Sequence, residues 1–113
     1  MSDCLFCKIV AGDIPAEKLY EDDHVLAFKD ISPQAPCHFI VIPKKHIVAP
    51  STLEEEDDAV IGKLFRAGSK VAADLGIEGQ FRIVINNGKK AGQVVFHMHL
   101  HFLGGRKMGW PPG

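Results

Sequence analysis

The sequence predicts an α+β domain: an antiparallel sheet of about five strands, one long helix packed on a face, and a short helix at the N-terminus. Three observations predict it. Short apolar runs, several of them β-branched, are separated by turn-like segments ("EKLYEDDHVLAFKD", "HFIVIP", "QFRIVINN", "VVFHMHLHFL"). One long stretch, "PSTLEEEDDAVIGKLFRAGSKVAADLG", places apolar residues at helical spacing. Finally, 113 residues with 46% hydrophobic and 24% charged side chains suffice for one packed core and not for two, so 1–113 reads as a single domain.

In chain order, "CLFCKIVAG" reads as a short helix ended by Gly12 and Pro15. The acidic pair Asp22-Asp23 splits two apolar stretches into a hairpin. The prolines of "ISPQAP" make a loop, and Pro43 ends the buried strand "HFIVIP". In the long helix Ser51 or Thr52 is the expected cap, and Glu54, Glu55 and Glu56 sit in the first turn, where the helix dipole favours acids. Val60, Ile61, Leu64, Phe65, Val71, Ala72 and Leu75 form its apolar stripe, and Gly76 stops it. Gly62 and Gly68 lower helix propensity, which points to close packing against a neighbour. "QFRIVINN", the turn "GKKAGQ" and "VVFHMHLHFL" make a second hairpin, whose last strand is expected to be the longest. The tail "GGRKMGWPPG" is too rich in glycine and proline for regular structure.

Charge narrows the function classes. Thirteen basic and fourteen acidic residues give a net charge of −1, with no basic run dense enough for nucleic acid and no lysine-rich amphipathic stretch for a membrane surface. No apolar run reaches the roughly 20 residues of a membrane span, and "MSDCLFCKIV" lacks the basic start of a signal peptide. A cytoplasmic location is expected. The three cysteines, Cys4, Cys7 and Cys37, are an odd number and argue against a disulfide framework.

The chemistry concentrates in "HMHLH". On a strand, His97, His99 and His101 point to one face, and Phe96, Met98, Leu100 and Phe102 to the other. Neighbouring histidine Cα atoms then lie roughly 6.6 Å apart and the outer two roughly 13 Å apart, too far for all three to hold one metal from a straight strand. A row of imidazoles can instead supply a nucleophile, a proton donor and an orienting group to a phosphoryl or acyl centre. A solvated polar strand face is the plainer alternative. Just upstream, Gly88 and Gly92 allow backbone N–H groups to turn toward an anion, with Lys89, Lys90, Asn86 and Gln93 nearby. An ordinary turn explains the same glycines. Cys4 and Cys7 form a C-x-x-C pair, which is either half of a tetrahedral metal site or two free thiols.

These residues carry a resemblance. "HMHLHFL" fits the His-x-His-x-His motif of the histidine triad (HIT) superfamily. "AFKDISPQAPCHFIVIPKKHI", "AADLG", "HLHFLGGR" and the terminal "WPPG" resemble its Hint branch, the purine nucleoside phosphoramidases, over nearly the whole chain. The resemblance implies an HIT-like sheet and a homodimer built through the long helix and a continuous sheet. It also implies hydrolysis of the P–N bond of purine nucleoside 5′-phosphoramidates, of the AMP-lysine or AMP-amine type, through a nucleotidyl-histidine intermediate. AMP or GMP and an amine are released, and no cofactor is required for catalysis.

Carried onto this chain, His99 is the nucleophile and His101 contacts the phosphate and assists proton transfer, while His97 and His38 complete the histidine network. Asp30 would bind the ribose hydroxyls, its plainer role being a turn cap. Leu5, Phe6 and Ile31 would line the base pocket, where the plainer reading is core packing. Asn86, Gly92, Gln93 and Val94 would line the phosphate site, and Trp110 would approach the partner protomer's site. Val94 departs from the Hint pattern, which often has serine or threonine there; the hydroxyl contact to phosphate is lost, which implies altered leaving-group or substrate preference. Members with a matching "C-x-x-C-K-I" start bind structural zinc, and the corresponding ligands here are Cys4, Cys7, His46 and His97. Two other functions compete: dinucleoside polyphosphate hydrolysis, against which the "WPPG" tail speaks, and a nucleotide- or zinc-binding regulatory module, against which the intact triad speaks.

Overall fold

A computed structural model describes residues 3–113. The elements are α1 (Leu5–Ala11), β1 (Lys18–Glu21), β2 (Val25–Lys29), β3 (Cys37–Pro43), α2 (Asp58–Asp74), β4 (Phe81–Val84) and β5 (Leu100–Gly104). The five strands form one antiparallel sheet in the order β1-β2-β3-β5-β4, so the predicted α+β class and both helices are observed.

The sheet sorts its side chains by parity. Val25 and Ala27 of β2, Phe39 and Val41 of β3, and Leu100 and Phe102 of β5 meet Leu64, Val71 and Ala72 of α2 in the main core. Leu26, Phe28, Ile40 and Ile42, from the other face of the same strands, pack on Phe6 and Ile9 of α1. Strands β2 and β3 are therefore buried on both faces, which is why "HFIVIP" reads as an unbroken apolar run. Because α1 is short, it covers only part of its face and leaves room beside it for a site.

The glycine at position 68 sets the distance between α2 and the sheet. A Cβ there would stand 2.1 Å from the Phe102 ring, so the aromatic side chain occupies the space a larger residue would need. Gly62 has no such neighbour within 4 Å. Helix α2 ends as expected at Gly76, in the left-handed region at φ 84°. The Gly76 and Ile77 N–H groups donate to the Ala73 and Ala72 carbonyls at 3.2 and 2.9 Å, which satisfies the last turn.

Two boundaries differ from the sequence expectation. The segment from Pro50 is two 3-10 turns, Pro50–Thr52 and Glu55–Asp57, before α2 starts at Asp58. Thr52 caps its own turn, its hydroxyl bonding both the N–H and the carbonyl of Ala49, and Leu53 is extended at ψ 142°. Ser51 and Thr52 are therefore not the α2 cap, and only Asp58 lies in its first turn. The second difference concerns the last strand, which is short. Residues 85–99 form an excursion rather than a tight hairpin, and of the three histidines only His101 lies within β5. The Met98 N–H bonds the Ile47 carbonyl at 2.6 Å, which draws residues ahead of β5 toward the loop after β3 and away from β4. Phe96, expected on the apolar face, is half exposed as a result, whereas Met98, Leu100 and Phe102 are buried as parity predicts.

Candidate active site

A cavity of about 360 Å³ opens between α1 and the sheet. Its floor and walls are mostly apolar, from Phe6, Ile9, Phe28 and Ile40, and its polar edge is formed by Asp30, His99 and His101. That combination of an apolar slot and a few converging polar groups suits a small ligand with one flat apolar end and one charged end.

The hydrogen bonds assign each imidazole its proton. His99 Nδ1 lies 2.7 Å from the His97 carbonyl, which can only accept, so the proton of His99 is on Nδ1. Its Nε2 has no hydrogen-bond partner among the described residues and carries a free lone pair in a residue that lines the cavity. The Gln34 N–H donates to His38 Nδ1 at 3.0 Å, so neutral His38 carries its proton on Nε2 and gives it to His101 Nδ1 at 2.9 Å. Neutral His101 then holds its own proton on Nε2. Asp30 Oδ2 stands 3.4 Å from His38 Nε2 and 3.8 Å from His101 Nδ1, while Oδ1 accepts from the Ser32 N–H. Asp30 therefore caps its turn and also faces the site.

Burial lowers the pKa of all four rings. It pushes His97 to about 4, with the Pro43 carbonyl acting the other way. It takes His101 to about 4, with His99 and His38 adding to the effect. Burial also holds His99 and His38 below the ordinary histidine range. The row is neutral at pH 7, so His99 needs no deprotonation before it can act as a nucleophile.

Behind His99, His97 is fully buried and faces two ways. Its Nε2–H donates to the Pro43 carbonyl at 2.8 Å. Its Nδ1 lies 3.4 Å from Cys4 Sγ and 3.5 Å from Cys7 Sγ, and Cys7 Sγ is 3.2 Å from His46 Nδ1. One donor atom from each of these four residues lies within 4.8 Å of the others. A tetrahedral zinc ion with Zn–S about 2.3 Å and Zn–N about 2.0 Å has S···N edges of about 3.5 Å, so the donor set fits that ion in number, type and spacing. Burial, with Cys4 adding to it, raises the Cys7 thiol to about 11, so with no cation present Cys7 keeps its proton.

Of the residues singled out from sequence, Leu5, Phe6, Asp30, Ile31, Gly92, Val94, His99 and His101 line the cavity. Ile31 is fully exposed and Val94 is 82% exposed, so both form its rim. His38 sits beside Asp30 and His101 without lining it. Asn86 is half-buried with its amide against Gly92. Gln93 is buried and does not line the cavity; its amide accepts from the Gly88 N–H and donates to the carbonyls of Val48 and Val95, so its side chain braces the loop. Trp110 is 82% exposed, with the Arg82 guanidinium 5.9 Å from its ring centroid, and is not part of the cavity. Sequence reading missed Ile9, Phe28 and Ile40 as lining residues. Their signal, apolar residues of α1 and of the α1 side of β2 and β3, was indistinguishable from core.

The HIT domain family matches the chain over residues 11–108. An uncharacterized HIT-like protein of Synechocystis is 56% identical over 111 residues, covering 98% of this chain and 97% of that protein. Among solved structures, a HIT family hydrolase of Legionella pneumophila superposes with a TM-score of 0.95 at 46% identity, covering 98% of this chain and all of that one. A histidine triad protein of Clostridium difficile superposes at 0.91 with 40% identity, covering 96% of each chain.

Proposed function

The chain belongs to the HIT domain family, and from that premise we propose that it is a hydrolase of the Hint branch, cleaving the P–N bond of purine nucleoside 5′-phosphoramidates. The observation that carries this reading is the state of His99: a neutral imidazole, its proton tied to the His97 carbonyl, with a free Nε2 in a residue lining an apolar cavity that also presents His101 and Asp30.

In the proposed reaction the purine lies in the slot against Phe6 and Phe28, and Asp30 accepts from the ribose hydroxyls. His99 Nε2 bonds the α-phosphorus as the P–N bond breaks. The departing nitrogen must gain a proton. The anionic phosphoryl group favours a proton on the coupled His101–His38 pair, which gives it to the amine and regains it from the water that attacks the nucleotidyl-histidine. The N–P bond then breaks, and the nucleoside monophosphate leaves. We assign a structural zinc ion to Cys4, Cys7, His46 and His97, on the strength of their donor spacing. We also assign a homodimer in which the free edge of β4 extends the sheet into a second copy.

Steady-state assay of adenosine and guanosine phosphoramidates against dinucleoside polyphosphates tests the reading. Phosphoramidates are expected to turn over faster; the reverse order would move the protein to the polyphosphate hydrolases. His99→Ala is expected to abolish turnover while AMP binding, measured by calorimetry, persists. A His99→Ala protein that still hydrolyses these substrates overturns the nucleophile assignment.

A further inference from the structure

Helix α1 reaches the nucleophile by a route that bypasses the cavity. Cys4, its N-cap, and Cys7, one turn on, both place sulfur against His97 Nδ1, at 3.4 and 3.5 Å. His46 stands edge-on to the His97 ring, with centroids 5.0 Å apart, and bonds Cys7 Sγ. Phe6, between the two cysteines, packs edge-on against the His97 and His99 rings at 5.9 and 5.0 Å. The far side of the His97 ring is held by the Pro43 carbonyl, and the His97 carbonyl in turn holds the proton of His99 at 2.7 Å. His97 has no exposed surface, so its ring has no slack.

We propose that Cys4, Cys7 and His46 are positioning residues for the nucleophile. The sulfur–nitrogen cluster pins the His97 ring from Nδ1, the pinned residue presents its carbonyl to His99, and that carbonyl keeps the His99 proton on Nδ1 and the lone pair on Nε2. Without the cluster, a buried Nδ1 loses its partners and the ring is free to turn toward new ones. The carbonyl shifts with it, and His99 populates the Nε2–H tautomer, which has no lone pair to offer phosphorus. Thiols hold the ring through S–H···N contacts; a thiophilic divalent cation bound there would hold it more rigidly. This inference rests on the reading of His99 as nucleophile, but its structural part does not depend on the substrate.

The test compares reduced wild-type protein, chelator-stripped and zinc-reconstituted, with Cys4→Ala, Cys7→Ala, Cys7→Ser and His46→Ala. Two readouts are taken on each: kcat and KM for an adenosine phosphoramidate, and the imidazole 15N shifts of histidine-labelled, ligand-free protein. Losing a sulfur is expected to lower kcat roughly tenfold or more with KM within about twofold, as loss of an outer-shell partner does. The His99 shifts should move toward the Nε2–H tautomer in step. Cys7→Ser, whose hydroxyl can still donate to Nδ1, is expected to recover part of both in metal-free protein. Folded variants with unchanged His99 shifts overturn the proposal, as does a fall in kcat that only tracks lost folded protein. If the cysteine variants do not fold, stripped wild type and His46→Ala decide by the same criteria. A wild type without phosphoramidase turnover defeats the functional reading alone, because the 15N shifts still report on the positioning.

Discussion

At the scale of single residues, the site works by assigning protons. Four imidazoles lie close together, and fixed acceptors and donors from the backbone (the carbonyls of Pro43 and His97, the N–H of Gln34) determine which nitrogen of each is free. The alternation of "HMHLH" made a candidate catalytic row legible; the tautomers of His99 and His38 rest on backbone groups two and four residues away, whereas that of His97 depends on the Pro43 carbonyl 54 positions away. Asp30 serves the turn and the site with different oxygens. Asp30→Asn keeps an acceptor for the Ser32 N–H and loses the negative charge, so KM for a nucleoside phosphoramidate is expected to rise about tenfold, corresponding to ~1.5 kcal/mol for a hydrogen bond to a charged group. Steady-state kinetics with unchanged melting temperature would bear this out. Val94 stands exposed on the cavity rim, and in the proposed reaction a hydroxyl there would contact the phosphate. Val94→Ser is expected to change kcat or KM on an adenosine phosphoramidate; constancy of both removes any role for this position in substrate preference.

At the scale of elements, glycine positions decide how closely the layers approach. Gly68 sits under Phe102, which itself stacks on Phe39 with centroids 4.9 Å apart. Gly68→Ala must push α2 from the sheet or turn an aromatic ring that has no room, and is expected to cost ~1–3 kcal/mol despite the better helix propensity of alanine. Gly62→Ala, on the same helix with open space around it, is expected to stabilise slightly or do nothing. Urea denaturation of the two variants separates packing from propensity. Sequence periodicity found α2 and its C-terminal stop, because these are set by local spacing and by one left-handed residue. It misplaced the start of α2, because Thr52 and Asp57 spend their side chains elsewhere. Asp57 bonds the Glu54 N–H and the Lys45 ammonium, so an acidic run that looks like one helix start is divided into two turns.

At the scale of the whole molecule, the histidine row ties the candidate site to stability. Folding holds His97 and His101 near 4 against the ordinary 6.5, and His38 and His99 are also lowered. Between those values the unfolded chain binds more protons than the native one, so the unfolding free energy rises with pH across the window. Stability is expected to be full above about pH 6.5 and to fall as the pH drops toward about 4. Denaturation midpoints measured across that range should show the slope, and a His101→Gln variant should show less of it. In the proposed homodimer the edge of β4, unpaired among the described residues, would extend the sheet, and the exposed Phe65 of α2 and Leu75 just after it would be covered by the second copy. Sedimentation is expected to give twice the 12.4 kDa chain mass, and Phe65→Glu to shift it toward the monomer. No described helix is long and apolar enough to cross a membrane.

The sequence by itself determined the α+β class, the two helices, the strand set and the cluster of chemically active side chains, since all of these follow from local periodicity and residue type. Tertiary structure alone decided that the Pro43 carbonyl holds the His97 ring, that the Gln93 amide reaches the Val48 carbonyl, and that the Cys4-Cys7 pair meets His97. The reason is physical. Hydrogen-bond partners and packing neighbours are chosen by approach in space, and a sequence pattern of short period carries no record of a contact made across the sheet.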